Sequence, residues 1–243
     1  MPTDNQRRTN EVRQGHGDWY RRGYFDDGSP LGSISSDECR IDSIAQSWGV
    51  ISGAADRERS LRAMAAVDGQ LVSRADALIR LFTPAFDHSK HDPGYVKGYP
   101  AGLRENGGQY THGVSWLVDA LVRLSLQAGA SGDVAEATRL RRRAVETWFA
   151  LSPIAYTMPE TFDRFGLAPH QQAADVYVGP SHGGRGGWSW YTGGAGRMLS
   201  AAHAILGLRL EQGELVLPDD LFAPKGGLQL ESLTHRGRIH RRG

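Results

Sequence analysis

The sequence predicts a mainly α protein whose helices come in successive pairs, the layout of an α/α toroid or bundle. Three observations predict it. Apolar residues recur at three- and four-residue spacing in long stretches, while alternating strand-like runs are few and short. The first two helical stretches are joined by a short turn containing Gly53. Finally, the glycine-rich and ligand-like residues gather where helices start.

Residues 1–17 are polar and aperiodic and read as a loose tail. Asp18 to Gly32 mixes aromatics with charges and then turns at Asp27-Gly28. Ser35-x-x-Glu38 has the form of a capping box ahead of a helix carrying Ile41, Ile44, Ala45, Trp48 and Ile51. Asp42 and Gln46 share another face of that helix. After a turn at Gly53, Asp56 caps a second helix striped by Leu61, Met64, Ala65, Leu71 and Val72. The apolar run Leu78 to Phe82 leads into a long loop, Thr83 to Gln109, of a length that is usually functional. His88-x-x-His91-Asp92 lies in it, but no third ligand at a recognised spacing accompanies it, so no metal site is assigned.

Tyr110 to Gln127 is the third helix, with Val114, Leu117, Val118, Leu121 and Leu124 as its core stripe. Asp133-x-x-Glu136 opens a fourth, which buries Val134, Ala137, Ala144, Val145 and Trp148 and ends at Pro153. Residues 155–170 are irregular and 171–178 ambiguous. A further helix carries Ala195, Met198, Leu199, Ala202 and Leu206. Leu208 to Leu210 and Leu215 to Leu217, around Gln212-Gly213, read as a short closing β-hairpin. Phe222 to Gly243 shows no periodicity.

A chain of 243 residues suits one large domain or a piece of a larger one. Its net charge of +1 argues against nucleic acid and against direct membrane contact. Arg141 to Arg143 read as a solvated helix face, and the arginine-rich tail 236–242 as disordered. One cysteine, Cys39, excludes an internal disulfide and suits a reducing, cytoplasmic compartment. No secretory signal is visible, and no run reaches the length needed to span a bilayer.

Two stretches carry the chemistry. Gly98 to Trp116 packs Arg104, Glu105, Asn106 and His112 around Gly107-Gly108, directly before a helix. Paired glycines let backbone N–H groups face a ligand, and a helix start favours an anion. A turn with an ordinary polar histidine explains the same residues. Gly183 to Gly196, rich in glycine and aromatics, precedes the last helix but fits none of the nucleotide-binding patterns. The six tryptophans suit stacking on sugar rings, and equally a core.

Trp19-Tyr-Arg-Arg-Gly-Tyr-Phe-Asp-Asp-Gly-Ser-Pro-Leu-Gly-Ser33, Glu38 to Trp48, Gly98 to His112 and Gly184-Arg-Gly-Gly-Trp-Ser-Trp-Tyr-Thr-Gly193 together resemble glycoside hydrolase family 94. The family holds cellobiose and chitobiose phosphorylases, 1,2-β-oligoglucan phosphorylase and the C-terminal part of cyclic β-1,2-glucan synthases, and the likeness is greatest to the last two. It implies an (α/α)₆ barrel in which phosphate cleaves a β-linked glucoside with inversion. Inorganic phosphate is then a co-substrate, and no cofactor or metal is needed. An anionic nucleophile also removes the need for the second carboxylate of an inverting hydrolase.

By motif, the resemblance makes His112, Thr192 and Gly193 phosphate contacts, and Arg104, Glu105, Gln46 and Trp48 sugar contacts. It divides the chain into the 1–17 tail, a partial catalytic domain over 18–218 and a divergent tail over 219–243. The family's general acid lies in a Gly-Asp-Trp-Asn-Asp motif upstream of the segment present here, so no catalytic residue is assigned. Asp18 imitates it but is followed by Trp-Tyr-Arg-Arg, and is rejected. Two more departures are Ala168-Pro169-His170, where a Glu-Pro-Tyr is usual, and Arg197, where an aromatic is usual. The expectation is a C-terminal piece of a β-1,2-glucan phosphorylase or synthase domain, partnered by the N-terminal half of the barrel or by a second copy. The alternative is a non-catalytic remnant that binds glucan or phosphate.

Overall fold

A computed structural model describes residues 18–179 and 181–242, and the expected 1–17 tail lies outside the described residues. Among these the protein is mainly α. Helices α1 (Ser43–Ile51) and α2 (Arg57–Gln70) form the first pair, and α3 (Thr111–Ala130) and α4 (Val134–Leu151) the second. Two single-turn helices follow, α5 (Pro153–Tyr156) and α6 (Phe162–Phe165), and then α7 (Thr192–Leu206). Helix α3 is the centre: α1, α4 and α7 all pack on it. Its expected stripe, Val114, Leu117, Val118, Leu121 and Leu124, is buried throughout.

The strands are short and paired in twos. β1 (Gly23–Tyr24) pairs with β2 (Pro30–Leu31), β3 (Ile41–Asp42) with β6 (Phe82–Thr83) and β4 (Val72–Ser73) with β5 (Leu78–Ile79). β7 (Gln109–Tyr110) pairs with β8 (Asp175–Val176), and Val176 bridges to Gly186, which links the loop before α3 to the glycine-rich stretch before α7. The expected hairpin forms as β9 (Arg209–Glu211) and β10 (Glu214–Val216). A second hairpin, β11 (Ser232–His235) with β12 (Arg238–Arg241), lies in the stretch that shows no periodicity.

Several local expectations are corrected. Ser35 and Glu38 cap no helix. Asp42 is the N-cap of α1, accepting from Ile44 N at 2.7 Å. Glu38 instead accepts from the amides of Asp87, His88 and Ser89, pinning the start of the long loop. The buried face of α1 is mixed: Ser43, Gln46, Ser47 and Val50 are inside, Ile44 and Ile51 pack on the core as expected, and Trp48 is exposed. The reason is Gln46, whose amide accepts from Tyr20 N and donates to the carbonyls of Tyr20 and Asp42. Ala65, Val134 and Leu199 point outward, because Ala63 and Met64, then Leu140, and then Ala201 and Ile205 face the core.

Candidate functional site

The two stretches singled out in the sequence meet. The β7–β8 pairing sets Tyr110 opposite Asp175. Thr111, the first residue of α3, donates its amide to Ala174 O at 2.9 Å and its hydroxyl to Ala173 O. Tyr191, immediately before α7, donates its amide to Gln172 O at 3.0 Å. One connecting segment, residues 172–175, thus anchors both helix starts, and the hydroxyls of Tyr110 and Tyr191 meet at 2.7 Å.

His112 lies in the first turn of α3, half-buried between Trp116 and Tyr191, with ring centroids at 5.3 and 6.4 Å. Its Nδ1 lies 3.2 Å from where a Cβ on Gly193 would sit, so the missing side chain leaves the imidazole facing the start of α7. Ala195 N makes the first intrahelical bond of α7, to Tyr191 O. The amides of Thr192, Gly193 and Gly194 precede it and have no carbonyl four residues back to bond. Thr192 and Gly193 are exposed. Burial, and then the Arg197 charge, hold the His112 imidazole below its usual pKa, which favours the neutral ring near neutrality. Arg197 pairs with Asp119 across α3 and α7 and lies 3.4 Å from Ser115 Oγ. A neutral donor ring beside three open amides at a helix start is an environment that suits an anion.

The loop before α3 supplies a second wall. Arg104 has φ +49°, and its guanidinium carbon stands 5.0 Å from the Trp188 ring centroid and 5.8 Å from that of Tyr99. Trp188 and Trp190 are both exposed. Glu105 is half-buried and close enough to raise the Tyr110 hydroxyl's pKa, behind burial and the Tyr191 hydroxyl as causes. The glycine pair does not open towards this space. Gly107 and Gly108 are buried; a Cβ on Gly107 would press on Ala85, and one on Gly108 on Arg104 O. They permit close backbone approach rather than ligand contact. Asn106 is also internal, accepting from Phe86 N and donating to the carbonyls of Phe86 and Tyr99, each at 2.8 Å.

Of the expected site residues, the structure brings His112, Thr192 and Gly193 together, and sets Arg104 and Glu105 on the adjoining loop. Trp48 meets Trp116, the ring beside His112, edge-on at 5.3 Å. Gln46 is fully buried with its amide engaged by backbone, which leaves it no surface to offer a sugar. Asp18 is exposed and lies 3.9 Å from Arg62. His88 sits on Asp87 at 3.1 Å, whereas His91 stacks on Phe25 and lies 3.4 Å from Asp27. Among the described residues no three His, Cys, Asp or Glu side chains converge on one point. No helix among them is long and apolar enough to cross a membrane.

Sequence reasoning assigned no role to Asp175, buried behind Arg104, to Trp188 beneath the Arg104 guanidinium, or to the Tyr110–Tyr191 hydroxyl pair. The available signal for Asp175 was a lone carboxylate in the apolar run Ala173-Ala174-Asp175-Val176. A cavity of about 730 Å³ lined by Arg80, Arg164, Arg185, Asp76 and Asp163 contains none of the expected site residues.

A model of the glycosyl hydrolase 94 superfamily catalytic domain matches residues 3–207. The cyclic β-(1,2)-glucan synthase NdvB of Rhizobium meliloti (strain 1021) is 42% identical, over 93% of this chain and 8% of that protein. The solabiose phosphorylase of Paenibacillus borealis is 30% identical, over 76% of this chain and 22% of its own length. The N,N′-diacetylchitobiose phosphorylase of Vibrio proteolyticus is 29% identical, over 79% and 22%. The chain therefore spans under a quarter of the length of each of these relatives.

Proposed function

The chain belongs to the glycosyl hydrolase 94 superfamily, and we propose that it supplies the phosphate- and sugar-binding walls of an inverting β-glucoside phosphorylase or glucan-synthase domain acting on β-1,2-glucan. The observation that carries this reading is the convergence of His112 with the open amides of Thr192 and Gly193. Relatives named as phosphorylases, and a 42% identical relative named as a β-(1,2)-glucan synthase, support phosphate and a β-linked glucan as the ligands.

In this reading inorganic phosphate seats on the Thr192 and Gly193 amides and accepts from His112. No protein base is required to activate it, because it is already an anion. The sugar lies against Trp188 and Arg104, with Trp48 at the cleft's edge. Its leaving oxygen takes a proton from a carboxylic acid in the upstream half of an (α/α)₆ barrel, in the cytoplasm.

The test is reconstitution. The chain is mixed with a separately expressed upstream half carrying the Gly-Asp-Trp-Asn-Asp segment, a β-1,2-gluco-oligosaccharide and phosphate. Release of glucose 1-phosphate, lost in His112→Ala, is expected. Absence of product with a folded, associated complement overturns the catalytic reading and leaves a ligand-binding remnant.

A further inference from the structure

Asp175 is an acid that the site as described does not use. Its side chain is completely buried on β8. Oδ2 accepts from Arg104 N at 2.7 Å, while Oδ1 finds no hydrogen-bond partner among the described residues. The carboxylate occupies the space that the absent side chain of Gly187 leaves, since a Cβ there would land on Oδ1. Gly187 N also donates to Asp175 O at 2.8 Å, so the acid is held by its backbone on two sides, opposite Tyr110 and beside Gly187.

A buried carboxylate with half its hydrogen-bonding capacity unmet is a costly arrangement. What it holds is equally unusual. Arg104 occupies the left-handed region at φ +49°, where a side chain crowds its own backbone. In that conformation its amide points to Asp175 and its guanidinium stands over Trp188. Trp188 is exposed, and its carbonyl accepts from Ala174 N, next to the acid.

We propose that Asp175 is the positioning residue of the sugar wall, fixing Arg104 in its left-handed conformation so that guanidinium and Trp188 ring present one composite surface to a pyranose. The inference rests on the reading above for its ligand, but not for its geometry. A pyranose ring offers an apolar face to the indole and hydroxyls to the guanidinium's donors. Asp175 touches neither sugar nor phosphate in this scheme and acts through Arg104.

The experiment uses the full chain and two readouts. Without ligand, the Arg104 δ-methylene protons carry a ring-current shift from Trp188, and the Arg104 amide is downfield and slow to exchange in the wild type. With a β-1,2-linked glucotriose, affinity is followed by tryptophan fluorescence, and the His112 shift on adding sulfate serves as the control. Asp175→Ala is expected to abolish the ring-current shift and to weaken glucotriose binding about tenfold, leaving the sulfate response unchanged. Asp175→Asn, which keeps an acceptor oxygen, is expected to restore the shift and most of the affinity. An intact shift in Asp175→Ala, or equal losses in both variants, overturns the proposal. If Asp175→Ala does not fold, the wild-type amide decides: rapid exchange at an ordinary shift overturns it. Wild-type chain that shows the ring-current shift but binds no glucotriose disproves the sugar wall and leaves the Asp175–Arg104 coupling standing.

Discussion

The proposed site has two walls built on different principles. The helix-start wall, His112 with Thr192 and Gly193, presents mostly backbone, and regular structure fixes its geometry: α3 and α7 would keep their open first amides with many other side chains there. The loop wall, Arg104 and Glu105 beside Trp188, presents side chains on irregular backbone. It stands only because buried polar groups, Asn106 and Asp175, satisfy that backbone from behind. Binding and folding should therefore separate on the first wall and be inseparable on the second.

The strongest way to break that contrast is Asn106→Leu. The substitution strands one buried donor, Phe86 N, and two carbonyls, those of Phe86 and Tyr99. With about 1–3 kcal/mol lost for each unsatisfied group that water cannot reach, a destabilisation of about 3 kcal/mol is expected. Urea unfolding measures it. A variant as stable as the wild type would show that the loop wall needs no internal support.

How much of this was legible follows the same division. The core stripe of α3 and the glycine-rich start of α7 were readable because helical periodicity is local. Asn106 was visible in the Arg104 to Gly108 cluster, but its role was not, since its partners lie 20 residues back and 7 residues back along the loop. The stripe of α1 was read in part: Ile41, Ile44 and Ile51 pack on the core, but Trp48 is exposed and Gln46 is buried by a contact 26 residues away, with Tyr20. A capping-box pattern at Ser35 and Glu38 misled for a similar reason: Glu38 caps amides some 50 residues downstream rather than its own helix. Long-range polar contacts leave no period to read. The residue pattern singled out the Gly98 to Trp116 stretch, and only the family resemblance gave Arg104 and Glu105 an expected sugar ligand.

On the helix-start wall, Gly193→Ala sharpens the contrast. The new methyl would sit 3.2 Å from His112 Nδ1, between the imidazole and the space above the α7 amides. Gly193 is exposed at a helix start, so the stability change should stay below about 0.5 kcal/mol. Sulfate affinity should fall about tenfold, the worth of one hydrogen bond to a charged group. Sulfate does not titrate near neutrality, so His112 reports on it cleanly. Burial and Arg197 hold the imidazole below its usual pKa, and a bound anion should raise it, making sulfate bind more tightly as pH falls towards the titration of the ring. NMR titration of His112 with and without sulfate measures both effects; an unmoved His112 pKa would remove it from the anion's surroundings.

The smallest effect is expected where the loop begins. Glu38 accepts from the amides of Asp87, His88 and Ser89 at 2.8–3.0 Å. Partial burial works against its charge, but those N–H groups outweigh it and the carboxyl sits below its ordinary pKa. A depressed folded-state value means that the unfolded chain binds the proton first. The contribution is therefore complete above the ordinary glutamate pKa and disappears as pH falls through the lower, folded value. Solvent screens a group this accessible, so Glu38→Gln should cost under about 1 kcal/mol near neutrality. The cost should vanish in acid, where the wild-type carboxyl is itself protonated. Thermal unfolding of both proteins at neutral and acidic pH measures the difference. A constant gap across pH would mean that Glu38 holds the loop by shape rather than by charge.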